Sequence, residues 1–322
     1  MKAAVYYENG GPEVFRFEEV ATPICQPGEV LIEVAVISIE GGDLVNREIR
    51  PLARMPHIVG YQCAGTIIDV GAGVTERQIG QRVVAILPWG SHAQYASALA
   101  ADTWVLPEDM DIDRAVAVPV AWGTAHECLF EFGQLQAGQT VLIHAAAGAL
   151  GLAAVQLAKR AGARVLATAS SSAKLDRLRP FGVDIAIDYS RTDFVAATRA
   201  ATDGQGAHLV IDSIAGETLA RSIQALHYRG RVITVGVSGR DQARPDPVSL
   251  WRGNNSLHGV FFPSSLDLEH DRVHALVQGL IDDVARGELE VVIDRVFPLS
   301  EAAEAHQYVL DRKAFGRVLL RP

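Results

Sequence analysis

The sequence predicts an α/β protein of two domains, a β-rich one with barrel-like strand spacing followed by a doubly wound parallel sheet. Three observations predict it. Short apolar runs separated by Gly- and Pro-bearing turns fill the first third of the chain. From about residue 120 the rhythm changes to strand then helix, the pattern of right-handed crossovers in a parallel sheet covered on both faces. The tail then supplies more elements than one mononucleotide fold needs, so it is expected to return to the first domain. Composition allows this, since 322 residues at 49% hydrophobic and 21% charged are enough for two domains.

Taken in order, strands are predicted over 2–7, 14–20, 30–39, 65–70 and 82–87, parted by the turns NGGPE, QPGE and VGAGV. The second part reads TVLIH, ALGLAAVQLAKRAG, RVLATA, SAKLDRLRPFG, DIAID, DFVAATRAAT, HLVIDS, GETLARSIQALH and RVITVG, strand and helix alternating. NNSLHGVFF, residues 254–262, reads as a strand at an open edge, and open edges invite a second copy. A helix over 269–286, a strand over 291–297, a helix over 300–310 and a strand over 317–320 complete the chain. The domains are therefore expected at 1–119, with 265–322 returning to it, and at 120–264.

Charge and cysteine content narrow the function. A net charge of −9 argues against an electrostatic nucleic-acid binder. The N-terminus MKAAVYYENG turns polar at once and no stretch stays apolar long enough to span a bilayer, so a cytoplasmic protein without a membrane partner is expected. Cys25, Cys63 and Cys128 lie far apart, with no C-x-x-C pair, and read as packed thiols.

The chemistry-bearing motif is Ala145-x-x-Gly148-x-x-Gly151, which follows a predicted strand and opens a predicted helix. That context lets backbone N–H groups of Gly148, Ala149 and Leu150 face a pyrophosphate. Gly148 would admit the phosphates and Gly151 close packing of helix on strand, while Ala145 needs only to be small. The next strand ends in Ala169, Ser170, Ser171, Ser172, where an NAD site would present a carboxylate to the ribose. Lys174 follows instead, with Arg177 a turn later, which favours a 2′-phosphate and therefore NADPH.

Domain order together with HAAAGALGLAAVQLAK, PGEVLIEV, GYQCAG, IGQRVVA and GRVLL resembles the medium-chain dehydrogenase/reductases, in particular their zinc-free quinone oxidoreductase, zeta-crystallin-like branch. The resemblance implies a GroES-like β-barrel catalytic domain, a Rossmann domain and a homodimer with a sheet continued through the edge strand near 254–262. It implies a nicotinamide pocket at Glu40-Gly41-Gly42-Asp43, and a contribution from Thr124 in PVAWGTAHECL. Cofactor contacts are implied at Ser170, Lys174 and Tyr189 for the 2′-phosphate, and at Ser213, Gly236, Val237, Val260, Phe261, Phe262 and Arg312. The zinc enzymes of this fold would place a cysteine at Glu40 and Gly-His-Glu at Gly60-Tyr61-Gln62, so no metal is expected here.

Hydride transfer without a metal requires other donors for the charge that develops on a substrate oxygen, and Thr124 with backbone amides could supply them. Glu40 could move a proton, or it could pair with Arg47 or cap the helix that Asp43 opens. The expected activity is NADPH-dependent reduction of a quinone or an α,β-unsaturated carbonyl. An enoyl-thioester reductase is the second enzyme reading, weakened because its loop REIRPLARMPHIVGY offers a tyrosine only at Tyr61. A non-catalytic binding or structural protein on the same fold is the reading of another class.

Overall fold

EVLIEVAVIS, rich in β-branched residues, forms a ten-residue strand in the computed structural model, which describes residues 1–322. Two units divide the chain, Met1–Val120 with His270–Pro322, and Ala121–Glu269. The first begins with β1 (Lys2–Tyr6), β2 (Arg16–Glu19), β3 (Glu29–Ser38), helix α1 (Gly41–Ile49), β4 (His57–Ile58) and β5 (Gln62–Val70). It continues through β6 (Arg82–Ile86), β7 (Tyr95–Leu99), β8 (Thr103–Val105) and the short α2 (Ile112–Ala115). Five of these strands match the predicted runs. β4, β7 and β8 were not predicted, being short or, in YASAL, built of residues with little strand signal.

The second unit starts within α3 (Pro119–His126) and alternates β9 (Thr140–Ile143), α4 (Ala149–Arg160), β10 (Arg164–Ala169), α5 (Ser172–Leu178), β11 (Ile185–Asp188) and α6 (Phe194–Ala201). β12 (Ala207–Asp212), α7 (Gly216–Gln224), β13 (Leu226–Thr234), β14 (Ser256–Gly259) and α8 (Phe262–Leu268) follow. All six strands are parallel in the order β11-β10-β9-β12-β13-β14, so the order reverses between β9 and β12 and a crevice opens at their C-terminal ends. Helices cover both faces, which is why Val141, Leu142, Ile143, Val210 and Ile211 are all fully buried. β14 does form an edge. It is shorter than the predicted run: Asn254 turns left-handed, at φ 48°, and Phe262 already belongs to α8.

The chain then returns to the first unit through α9 (His270–Ala285), β15 (Ile293–Pro298), α10 (Ala302–Leu310) and β16 (Arg317–Arg321). There β15-β16-β3-β5-β6-β8 make one sheet, with β7 also on β3, and β2-β1-β4 a second, bridged to Ala93 through Ala3. The hydrogen-bonded path ends at β15 and β8, so this GroES-like unit wraps its core with two open sheets and not with a closed cylinder. Val30, Ile32, Ile37, Ile67, Val83 and Leu320 fill that core, each fully buried and each contributing on the order of 1.5–3 kcal/mol.

Candidate functional site

The turn from β9 into α4 has the strand–turn–helix geometry that could receive an anion. Gly148 caps α4 without a side chain, and Leu152 N–H is the first amide of the helix to bond back, to the Gly148 carbonyl at 2.9 Å. The amides of Ala149 and Leu150, half-buried, precede it and are left for a ligand at the positive end of the helix. A Cβ on Gly151 would stand 2.5 Å from Ala146 Cα, so glycine there is what lets α4 lie against the strand. Ala145 needs more than smallness, contrary to expectation. It sits at φ 50°, a left-handed conformation that glycine adopts freely and alanine does not.

Beside this turn, β10 and β11 end together. Ala169 pairs with Asp188, and Tyr189 N–H donates to the Ala169 carbonyl at 3.3 Å, which sets Ser170 and Tyr189 on adjoining strand ends. Ser171 Oγ caps α5 by accepting from Lys174 N–H, which brings the half-buried Lys174 into the same corner. The Asp188 carboxylate that ends β11 is occupied: Ser190 Oγ donates to it at 2.6 Å and Ser190 N–H at 3.0 Å, holding its carboxyl below the usual range. On the other side of the crevice the Ser213 carbonyl accepts from Ser238 N–H and Oγ, and a Cβ on Gly236 would come 3.3 Å from that carbonyl. Val237 is half exposed and Phe261 more so, at 70%. Val260 N–H donates to the Thr234 carbonyl, and the buried Phe262 ring packs on Gly123, next to the buried Thr124 of α3. Ser213, Gly236, Val237, Val260, Phe261 and Thr124 thus gather at one end of the sheet. Arg312 belongs to the other unit, following α10 at φ 55°.

Beneath the crevice runs a buried chain of hydrogen bonds that sequence reading missed. Thr168 Oγ1 and His144 Nδ1 are 3.1 Å apart, His144 Nε2 and Ser222 Oγ 3.0 Å, and Ser222 Oγ donates to Asp212 at 3.1 Å. Asp212 also accepts from the Ile214 and Ala215 amides, which holds Ala215 at φ 67°. Burial lowers His144 to about 4, so the ring is a neutral linker between β9, β10 and β12.

In the first unit, Glu40 lies two residues past β3, at the N-cap of α1, and is 4% exposed. Its carboxylate accepts from Arg317 Nη1 at 2.8 Å, Ser38 Oγ at 2.9 Å and Gln62 Nε2 at 3.1 Å. The expected partner Arg47 is elsewhere, against His306, Glu48 and the Gly10 carbonyl. The other expectation, that these residues cap the helix, holds: Glu40 is the N-cap of α1 and Asp43 completes a capping box with it. Asp43 is the third residue of α1, fully buried, and accepts from Glu40 N–H at 2.8 Å while its other oxygen has no partner. Burial raises the Asp43 carboxyl well above its usual value, with the Glu40 charge adding to it. Tyr61 is the residue whose placement the sequence understated: a Cβ on Gly42 would stand 2.6 Å from its hydroxyl, so Tyr61 leans on the first turn of α1. Burial first, then Asp43 and Glu40, keep that phenol protonated.

The alcohol dehydrogenase GroES-like domain model matches residues 26–108 and the zinc-binding dehydrogenase model residues 149–278. A 2-haloacrylate reductase from Burkholderia sp is 32% identical over 99% of this chain and 98% of its own. The quinone oxidoreductase of Sus scrofa is 30% identical, over 99% and 97%. The chain belongs to the zinc-free branch of the medium-chain dehydrogenase/reductases. Escherichia coli quinone oxidoreductase, solved in complex with NADPH, matches the whole chain over its own whole length, with a TM-score of 0.95 at 25% identity. As an oxidoreductase of this branch, the chain carries Glu40 and Gly60-Tyr61-Gln62 at the positions matched above to the cysteine and Gly-His-Glu of the zinc enzymes. Nowhere do three or more His, Cys, Asp or Glu side chains cluster to hold a metal ion. The three cysteines are free, with Cys63 and Cys128 buried.

Proposed function

We propose that this chain is an NADPH-dependent, zinc-independent reductase that transfers hydride to quinones or α,β-unsaturated carbonyl compounds. The corner at the ends of β10 and β11 carries the reading. Two hydroxyls and a lysine stand there, and the Asp188 carboxylate at the end of β11 is already bonded to Ser190, which suits a 2′-phosphate. Ala149 and Leu150 amides would hold the pyrophosphate, and Ser213, Gly236, Val237 and Val260 backbone groups the nicotinamide end, with Phe261, Phe262 and Arg312 as further proposed contacts. When bound, the cofactor supplies hydride.

The protein's own groups do the rest. Glu40 is committed to Arg317 and Gln62, so we assign it the task of fixing the β3–α1 corner, with Asp43 bracing the Glu40 amide. Tyr61 and Thr124 are the proposed donors to the oxygen on which charge develops. A protonated phenol serves an enoyl thioester, an enone and a quinone alike, so with Tyr61 placed against α1 the enoyl-thioester reading stands as the second one. A second copy is the proposed partner, since β14 leaves an unpaired strand edge.

Cofactor titration of Lys174→Ala tests the reading. Losing a charge-assisted phosphate contact costs about 1.5–3 kcal/mol, so NADPH affinity falls by roughly ten- to a hundredfold while NADH affinity changes little. Equal weakening of both, or a wild type that prefers NADH, contradicts it.

A further inference from the structure

The second unit buries a file of four polar side chains, Thr168, His144, Ser222 and Asp212, beneath the ends of β9, β10 and β12, each at most 2% exposed. Polar groups in such a place cost free energy unless each is bonded, and apolar residues of similar size would pack there without that cost. Here every member is bonded. In the tautomer that satisfies both ends, neutral His144 accepts from Thr168 Oγ1 at Nδ1 and donates from Nε2 to Ser222 Oγ. The Ser222 hydrogen is then shared between Asp212 and the Thr218 carbonyl. Phe194 packs edge-on against the imidazole with ring centroids 4.7 Å apart, which fixes its plane.

A strained alanine stands at each end of the file. His144 precedes Ala145, at φ 50°, and Ala146 N–H donates to the Thr168 carbonyl at 3.0 Å, so the file begins at the root of the β9–α4 turn. At the far end one Asp212 oxygen accepts from the Ile214 and Ala215 amides, both at 2.8 Å, while the other faces Ser222. Ala215 lies at φ 67° and ψ −162°, a region that glycine alone enters without strain. Its turn, residues 213–216, is clamped from the opposite side too, where Ser238 N–H donates to the Ser213 carbonyl and Gly239 N–H to the Ile214 carbonyl at 2.9 Å. Strain of this kind persists only where the surroundings over-determine it, and it concentrates at ligand clamps. We propose that His144, Ser222 and Asp212 are positioning residues for the cofactor: they hold the 213–216 turn, against its own strain, in the conformation that sets Ser213 beside Gly236 for the nicotinamide end. The same file ties that turn to the one proposed for the pyrophosphate. This rests on the cofactor placement proposed above.

Ser222→Ala opens the file at its middle, and Asp212→Asn, which keeps the shape, weakens its hold on the two amides. Calorimetric titration compares NADPH with adenosine 2′,5′-bisphosphate, which carries the adenine and the 2′-phosphate but no nicotinamide. Each variant should bind NADPH about tenfold more weakly and the bisphosphate as wild type does. Without ligand, hydrogen exchange at the Ile214 and Ala215 amides should quicken tenfold or more. Adding Ala215→Gly to Ser222→Ala should recover most of the lost NADPH affinity, because glycine adopts that backbone unaided. A loss of general stability would weaken both ligands and would not be reversed at residue 215. Equal weakening of the two ligands, no recovery with Ala215→Gly, or unchanged exchange at 214 and 215 overturns the proposal. Quickened exchange with NADPH affinity unchanged shows instead that the file holds the turn while the nicotinamide end lies elsewhere, and it is then the cofactor placement that fails.

Discussion

Glu40 receives three hydrogen bonds, and the strongest of them comes from Arg317, 277 residues away in the sequence. Both side chains are about 95% buried, so neither charge can be left alone. Removing one partner of such a pair costs about 3–5 kcal/mol, while replacing both with apolar groups of similar size costs much less. Glu40→Gln is therefore expected to lower stability by roughly 3 kcal/mol, and adding Arg317→Met to recover much of it. Urea denaturation of the two single variants and the double variant measures the coupling, and additive effects would contradict the pairing. At this scale the sequence was legible only in part. It marked Glu40 as the departure from its family, yet offered Arg47 as partner. A contact between β3 and the last strand leaves no local trace, and the same is true of Tyr61 over Gly42.

At the scale of elements, the strand–turn–helix of residues 140–160 was legible because local rules govern it: an apolar run, small residues, then apolar positions at helical spacing. What could not be read was the left-handed backbone at Ala145. Gly should be preferred there by about 1 kcal/mol, so Ala145→Gly is expected to raise stability slightly without weakening NADPH. Gly151→Ala, by contrast, drives a methyl into Ala146 and should lose both stability and cofactor affinity. Thermal melts with and without NADPH compare them. A destabilised Ala145→Gly would show that the turn relaxes in solution to a conformation alanine accepts. The alternating strands and helices of the second unit were legible for the same local reason, whereas β14 ran short because its apolar residues are shared with the start of α8.

For the molecule as a whole, pH response follows from buried histidines, three of them fully enclosed in hydrogen-bonded networks. In the first unit Arg47 donates to His306 Nδ1 at 2.6 Å, so His306 carries its proton on Nε2, which faces His92 Nε2 at 3.1 Å. Burial, then Arg47, push His92 down to about 3; burial, His92 and Arg47 push His306 well below its ordinary value. His144 in the second unit, at about 4, behaves alike. Because the folded values lie below the unfolded value of about 6.5, the unfolded chain binds the extra protons. Stability is full above pH 6.5 and falls as pH drops below it, by up to about 1.4 kcal/mol per pH unit for each histidine. Urea midpoints between pH 7.5 and 5 should show this loss, reduced in His92→Gln; a flat profile would mean that these rings titrate in the fold as they do in the unfolded chain. No helix is long and apolar enough to cross a membrane. Steady-state oxidation of NADPH and of NADH with a quinone and with an enone tests the reductase activity itself. The account predicts turnover with NADPH at a kcat/KM at least about tenfold that with NADH, undiminished by a metal chelator. Binding of NADPH without oxidation by either acceptor, or turnover that prefers NADH, would contradict it.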